Sequence, residues 1–376
     1  MAHIVILGGG IGGIVAANLL RRKLGKEHGI TLLDRSRSHL FAPSLLWILA
    51  GKRTAESIQR PLARLGRKGI AVVNAPADAI DLQEKRVRTL KGDFPYDYLI
   101  IALGADLAPE AVPGLRENGY NLYDPGEVQR LRKALADFGG GKVLVLVSRV
   151  PFKCPAAPYE AAFLIERLLR GRGGPTEVEV CTPEALPMPV AGPEIGNAIR
   201  SMLDVRGIAF SPERKVASVG GSQIRFEDGQ AAGFDLLAYV PPHAAPKVVR
   251  DAGLTDESGW IPVDARTLRT RHERVYAIGD IAAIRLPDGK MLPKAGVFAH
   301  RQAEAVASAI AADLGRGSAK GFDGRGMCFL ETGDGAAGFA SGDFYAQPRR
   351  ISMRRPSRLW LLAKVLLEKY WFWKWL

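Results

Sequence analysis

Three cysteines in 376 residues are too few for a disulfide framework. No stretch of about 18 residues is both apolar and free of charge, so a membrane-spanning helix is not expected. A secretory leader is not expected either, since a strand pattern already opens at His3. There is no low-complexity tract and no short internal repeat. With 47% apolar and 24% charged residues the composition is that of an ordinary globular protein, which excludes collagen-like, coiled-coil and disordered chains. At about 150 residues per domain the length suggests two or three domains, enough to bury a core without staples.

Charge is present in excess and unevenly placed. Lys and Arg number 52 against 39 Asp and Glu, a net charge of +13. From Pro348 onwards Arg349, Arg350, Arg354, Arg355, Arg358, Lys364, Lys369 and Lys374 face a single acid, Glu368. Trp360, Trp371, Trp373 and Trp375 lie in the same stretch. A basic, tryptophan-rich segment points to an anionic lipid surface. No recognition motif accompanies the charge, so nucleic acid is not an expected partner.

His3 to Leu7 (HIVIL) is a short buried strand, Ile14 to Leu24 a helix, and Ile30 to Leu33 a second strand followed by Asp34. Between the first strand and the helix, Gly8, Gly10 and Gly13 form G-x-G-x-x-G. Gly8 permits the tight turn, Gly10 lets a pyrophosphate approach, and Gly13 lets helix and strand pack closely. Asp34 is placed to accept from ribose hydroxyls. The pattern by itself is weak, since a glycine-rich chain yields about half a match by chance. A second match at Gly333, Gly335 and Gly338 sits between CFLE and GFAS, two strands of a hairpin with no helix following. Only the first match has the strand, helix, strand and acid in order.

Tyr98 to Gly104 (YLIIALG) and Val275 to Asp280 (VYAIGD) are two more strands ending in small-residue turns. With the glycine motif, in this order, they resemble the two-domain FAD-dependent pyridine nucleotide–disulfide oxidoreductases. The resemblance implies Ala102, Leu103 and Gly104 near the cofactor, and Gly279 with Asp280 at the FAD ribityl chain. It implies an α/β fold of two Rossmann-like nucleotide-binding domains. The FAD domain, 1–110 and 243–318, would be discontinuous around an inserted domain, 111–242, in which GRGGP at 171–175 forms a surface turn. A C-terminal region, 319–376, would hold strands to about Tyr345 and then a membrane-associating segment.

The inserted domain should open on its own glycine fingerprint. Lys142 to Val147 (KVLVLV) is the strand, but Ser148 to Cys154 (SRVPFKC) contains no glycine. Side chains fill the turn that a second pyrophosphate would need, so its NAD site is read as degenerate. Cys154 stands there, beside Lys153 and near Arg149, cationic neighbours expected to lower its thiol pKa. A helix from Tyr159 to Arg170 starts just after it and carries Glu160. A lone cysteine is ordinarily a small buried hydrophobe, and Cys181 is read so.

FKCPAAPYE around Cys154, PPH at 241–243, PKAGVFAHRQAEAVA from Pro293 and MCFLETGDG around Cys328 are similar to sulfide:quinone oxidoreductases and flavocytochrome c sulfide dehydrogenases. The resemblance runs to about Tyr345. It implies Cys154 and Cys328 as the redox pair and Lys294 near the isoalloxazine. Glu160 and His243, with His300 behind them, are the candidate proton carriers. No cysteine precedes Cys154, so FAD is expected to be non-covalent, and no metal site is expected. The stretch NLYDP at 121–125 lacks the third cysteine of some relatives.

In SRLWLLAKVLLEKYWFWKWL, Leu359, Leu362, Leu366, Tyr370 and Trp373 form one helical stripe. Expected partners are sulfide, a membrane quinone and the lipid surface of a peripheral membrane protein, with a homo-oligomer left open. The alternatives are a type II NADH:quinone oxidoreductase, against which the glycine-free turn counts, and a non-catalytic membrane flavoprotein.

Overall fold

The computed structural model describes residues 1–172 and 174–376. Gly173, inside the expected 171–175 turn, lies outside the described residues. The buried run His3–Leu7 is the centre of a parallel sheet ordered Val275–Ala277, Tyr98–Ile101, His3–Leu7, Gly29–Asp34, Ala71–Asn74. Strands apolar on both faces suit a sheet covered on both sides. The order explains why strands far apart in sequence end at one place. Ile278 N–H reaches Ile101 O at 2.9 Å and Ala102 N–H reaches Leu7 O at 2.8 Å.

A second parallel sheet is ordered Tyr120–Asn121, Leu236–Val240, Gly141–Val147, Thr176–Cys181, Ile208–Ser211. Its first crossover helix, Ala157–Leu169, carries a proline in its first turn and is buried over almost its whole length. The molecule is thus α/β with two Rossmann-like cores, and in each the ends of the strands present a turn to the same region.

Arg325–Glu331 and Ala337–Asp343 form the hairpin that CFLE and GFAS suggested. The sequence predicts strands only to about Tyr345. Instead, Arg350–Ser357 adds a third, antiparallel strand. It alternates weakly, is rich in arginine and holds Pro356, all tolerated because it is the edge strand. Ser357 then caps the C-terminal helix, Arg358–Trp375, by accepting from Trp360 N–H at 3.3 Å.

That helix is apolar on two faces, one of which also buries two charged side chains. Lys364, Glu368, Trp371, Phe372 and Trp375 are buried against the body. The stripe Leu359, Leu362, Leu366, Tyr370 and Trp373 faces outward, with Leu359 75% and Trp373 80% exposed. The tryptophans do not all belong to the outer face. Trp371 stacks on His39 at 4.6 Å and Trp360 on Phe339 at 4.4 Å, so tryptophan mainly anchors this helix. Among the described residues no helix is long and apolar enough to cross a membrane.

Candidate active site

The first turn is built by glycine. Gly8 has φ +104°, and a Cβ there would lie 2.3 Å from Ala102 O. A Cβ on Gly13 would lie 1.9 Å from Gly8 O, which is why strand and helix can approach so closely. A Cβ on Gly10 would meet nothing within 4 Å, leaving that backbone open to a ligand. The helix Ile11–Leu24 has no side-chain cap, so its first N–H groups stay available to an anion. Asp34 accepts from Gly9 N–H and, at 2.6 Å, from Ser36 N–H, which fixes the acid beside the loop. Gly104 has φ +69° with open space at its Cβ. Gly279 N–H donates to buried Gln302 at 2.6 Å, which sets the turn that presents Asp280. These residues fit a dinucleotide such as FAD: Gly8–Gly13 and Asp34 would hold one end, with Ala102–Gly104 and Gly279–Asp280 as candidates for the rest.

The second turn is closed by side chains. Ser148 Oγ donates to Val240 O at 2.6 Å, and Phe152 is buried. Cys154 adopts φ +54°, a left-handed conformation rare for a residue with a Cβ. Two bonds hold it there. Cys154 N–H donates to Lys294 O at 2.7 Å, and Tyr123 O–H donates to Lys153 O at 2.6 Å. The Lys294 segment is thereby stitched to the turn that carries Cys154.

Around this seam sit Lys294, Asp280, Lys153, Tyr123 and His243. The Lys294 ammonium donates to Asp280 O and lies 3.5 Å over the Trp260 ring. Burial pulls it down to about 8, against the charge of Asp280. Burial also pushes the Asp280 carboxyl up. His243 Nδ1 donates to Pro241 O at 2.9 Å, and its buried Nε2 has no partner. Burial and then the Lys153 charge pull His243 down to about 3. Burial thus favours the neutral imidazole, whose Nε2 is left open to accept. His300 lies apart, beside Trp375 and Glu304.

Cys154 and Cys328, remote in sequence, pack against the same buried cluster as free thiols. The expectation of a lowered Cys154 pKa does not hold. Burial pushes it up to about 11 and the Glu160 charge adds to that. Arg149 faces away, bonded to Val216 O at 2.7 Å and paired with Glu227. Cys328 is raised as well, by burial and then by Cys154 and Glu160. The cation that draws both thiols down is Lys364, from the C-terminal helix.

Lys364 belongs to a buried network that the sequence did not reveal. Its ammonium pairs with Glu160 at 2.5 Å and lies 3.9 Å from Glu331. The other Glu160 oxygen accepts Glu331 N–H at 3.0 Å. Glu331, fully buried, accepts from Trp47 Nε1 at 2.6 Å and pairs with Lys52. Nearby, Arg53 pairs with Glu368 at 2.6 Å. Cys181 stands elsewhere, in the second sheet, donating to Glu179 at 3.3 Å.

One turn shaped for a dinucleotide is joined by a second nucleotide-type unit whose turn carries a cysteine in place of glycine, the arrangement of an oxidoreductase of two nucleotide-binding units. The chain belongs to the pyridine nucleotide-disulphide oxidoreductase family, whose model matches residues 2–309. It is 27% identical to the mitochondrial sulfide:quinone oxidoreductase of Mus musculus, over 92% of this chain and 79% of that one. It is 25% identical to the type II NADH:quinone oxidoreductase of Staphylococcus haemolyticus, over 88% of each. Among solved structures, the sulfide:quinone oxidoreductase of Aquifex aeolicus superposes with a TM-score of 0.89 at 25% identity, covering 100% of this chain and 91% of that one.

Proposed function

We propose that this protein oxidises sulfide at Cys154 and Cys328 and passes two electrons, through non-covalent FAD, to a membrane quinone. The observation that carries the reading is the second turn, where a sulfur stands in place of the glycines and a second cysteine packs against the same buried cluster. In this reading the resting pair is a disulfide. Hydrosulfide attacks one sulfur, an S–S bond breaks, a persulfide forms on that cysteine and the other leaves as thiolate. FAD, when bound, supplies the two-electron acceptance and release that link the pair to the quinone. Over the cycle HS⁻, one proton and a quinone give sulfane sulfur and a quinol. Gly8, Gly10, Gly13, Asp34, Ala102, Leu103, Gly104, Gly279, Asp280 and Lys294 are the residues assigned to the cofactor. Residues 1–110 with 243–318 are assigned to the FAD domain and 111–242 to the insertion.

The outward stripe of the C-terminal helix supports a seat on the membrane surface, where a lipophilic quinone is reached without entering water. Exposed Arg350, Arg354, Arg355, Arg358 and Lys369 add attraction to anionic lipid.

The similarity to type II NADH:quinone oxidoreductases favours NADH as the rival donor. Anaerobic mixing decides between them: sulfide should bleach the flavin band of the purified protein and NADH should not. Bleaching by micromolar NADH, with sulfide inert, would replace the reading.

A further inference from the structure

Between Gly8 and Gly10 stands a third glycine, Gly9, and side chains hold both of its backbone groups. Gly9 N–H donates to Asp34, and Gly9 O accepts from His39 Nδ1 at 2.9 Å. A carbonyl can only accept, so Nδ1 carries the proton. His39 comes from the short strand Ser38–Leu40 and is buried. Its ring is pressed against the C-terminal helix, where Trp371 stacks on it at 4.6 Å and 25°. The end of that helix is completed by the first nucleotide unit. Its last carbonyls have no partner within the helix. Asn18, on the helix after the glycine loop, donates to Trp375 O at 3.2 Å and to Ile14 O at 2.9 Å. Lys68 donates to Asn18 Oδ1 at 3.0 Å and to Lys374 O at 3.2 Å. Arg22, at the far end of the same helix as Asn18, lies 5.4 Å over the Trp375 ring. These contacts join the last two turns of the C-terminal helix to the loop and the helix that a dinucleotide would use.

We propose that these two turns latch the dinucleotide loop, with His39 as the positioning residue that carries the latch: Trp371 fixes the imidazole, and the imidazole fixes the Gly9 peptide. A stacked, buried ring has lost its other rotamers, so its bond to Gly9 O is preorganised. Because cofactor binding and helix seating share this contact, each strengthens the other by the same factor. The inference rests on the FAD assignment and not on the choice of sulfide as donor.

The test follows FAD leaving the full-length holoenzyme after dilution, read as recovery of free-flavin fluorescence. His39→Leu removes the donor, and His39→Asn keeps one near the place of Nδ1. Trp371→Leu removes the stacked ring. Phe372→Leu, in the same turn but packed on Phe41 and Arg60, is the control for lost core packing. FAD release should quicken by about tenfold in His39→Leu and about fivefold in Trp371→Leu. It should stay within about twofold of wild type in His39→Asn and Phe372→Leu. The double variant His39→Leu/Trp371→Leu should match His39→Leu alone, since the tryptophan acts through the histidine. Hydrogen exchange of the peptide spanning residues 8–13 should quicken in His39→Leu and not in His39→Asn. Wild-type release from His39→Leu, a multiplied effect in the double variant, or Phe372→Leu as fast as Trp371→Leu overturns the proposal. Should Trp371→Leu fail to fold, the two His39 variants carry the decision. If the purified wild-type protein holds no FAD, the cofactor assignment falls, while exchange in residues 8–13 still decides the latch.

Discussion

Replacing Leu359, Leu366 and Trp373 together by serine removes the outward apolar face without touching the buried one. Leu359 is 75%, Leu366 54% and Trp373 80% exposed. A fully transferred Leu or Trp side chain contributes about 2–3 kcal/mol. Scaled by exposure, the three lose about 1.5, 1 and 2 kcal/mol of transfer into an apolar phase. Together this is about 4.5 kcal/mol, or roughly a thousandfold in the partition constant. Co-sedimentation with vesicles containing anionic lipid, at fixed salt, reads that change. Folding should not notice, since exposed substitutions of this kind cost within about 0.5 kcal/mol. The thermal midpoint is therefore measured alongside. Turnover with a long-tailed quinone should fall with vesicle binding, and turnover with a short, water-soluble analogue should persist. Undiminished vesicle binding would refute the lipid-facing assignment. A midpoint lowered by many degrees would show that the chain itself, or a second copy, covers this face.

Cys154→Ser and Cys328→Ser should each keep FAD and lose most sulfide-driven flavin bleaching, whereas Cys181→Ser should stay active, because Cys181 bonds only within the second sheet; stopped-flow spectra of the three variants check this. Deleting Arg358 to Leu376 should destabilise the whole protein, with denaturant midpoints as the readout, since it removes buried Trp371, Phe372 and Trp375 and leaves Glu160 and Glu331 without Lys364. Stranding buried carboxylates in this way costs about 3–5 kcal/mol. Burial pulls His39 down to about 4 and His243 to about 3, so between those values and about 6.5 the unfolded chain binds more protons than the folded one. Stability should be full above pH 6.5 and fall by a few kcal/mol toward pH 4; His39→Asn should flatten the slope, and an unchanged slope in urea titrations would exclude His39 as its source.

The sequence made the scaffold legible because apolar runs such as HIVIL and KVLVLV have one reading when both faces are covered. The glycine loop was legible because Gly8 and Gly13 exclude a Cβ for separate steric reasons and Gly10 leaves its backbone open. The polar network was not. The C-terminal helix carries two stripes of helical period. One is 359, 362, 366, 370 and 373; the other is 364, 368, 371 and 375. The second contains Lys364 and Glu368, charges that composition would send to water. They are buried because their partners, Glu160 and Arg53, come from remote elements, and periodicity holds no record of a remote partner. The same gap misjudged Cys154. Lys153 and Arg149 are its neighbours in sequence, yet Arg149 turns away to Glu227, burial and Glu160 push the thiol up, and a cation that opposes them, Lys364, comes from the far end of the chain.

The second nucleotide unit keeps the Rossmann-like topology while its turn carries a cysteine where the first unit has glycine. Strand Gly141–Val147 and helix Ala157–Leu169 are held by apolar packing, which is indifferent to the residues between them. The turn alone decides what can approach. Cys154 pays for its φ of +54° with strain of about 1–2 kcal/mol that glycine would avoid. Glycine has no sulfur, however, and would add freedom to the one segment that must be fixed. The strain is tolerated because the bond from Cys154 N–H to Lys294 O ties this turn to the segment beside Asp280. The Cys154 backbone is thus fixed to the Lys294 segment by a main-chain bond.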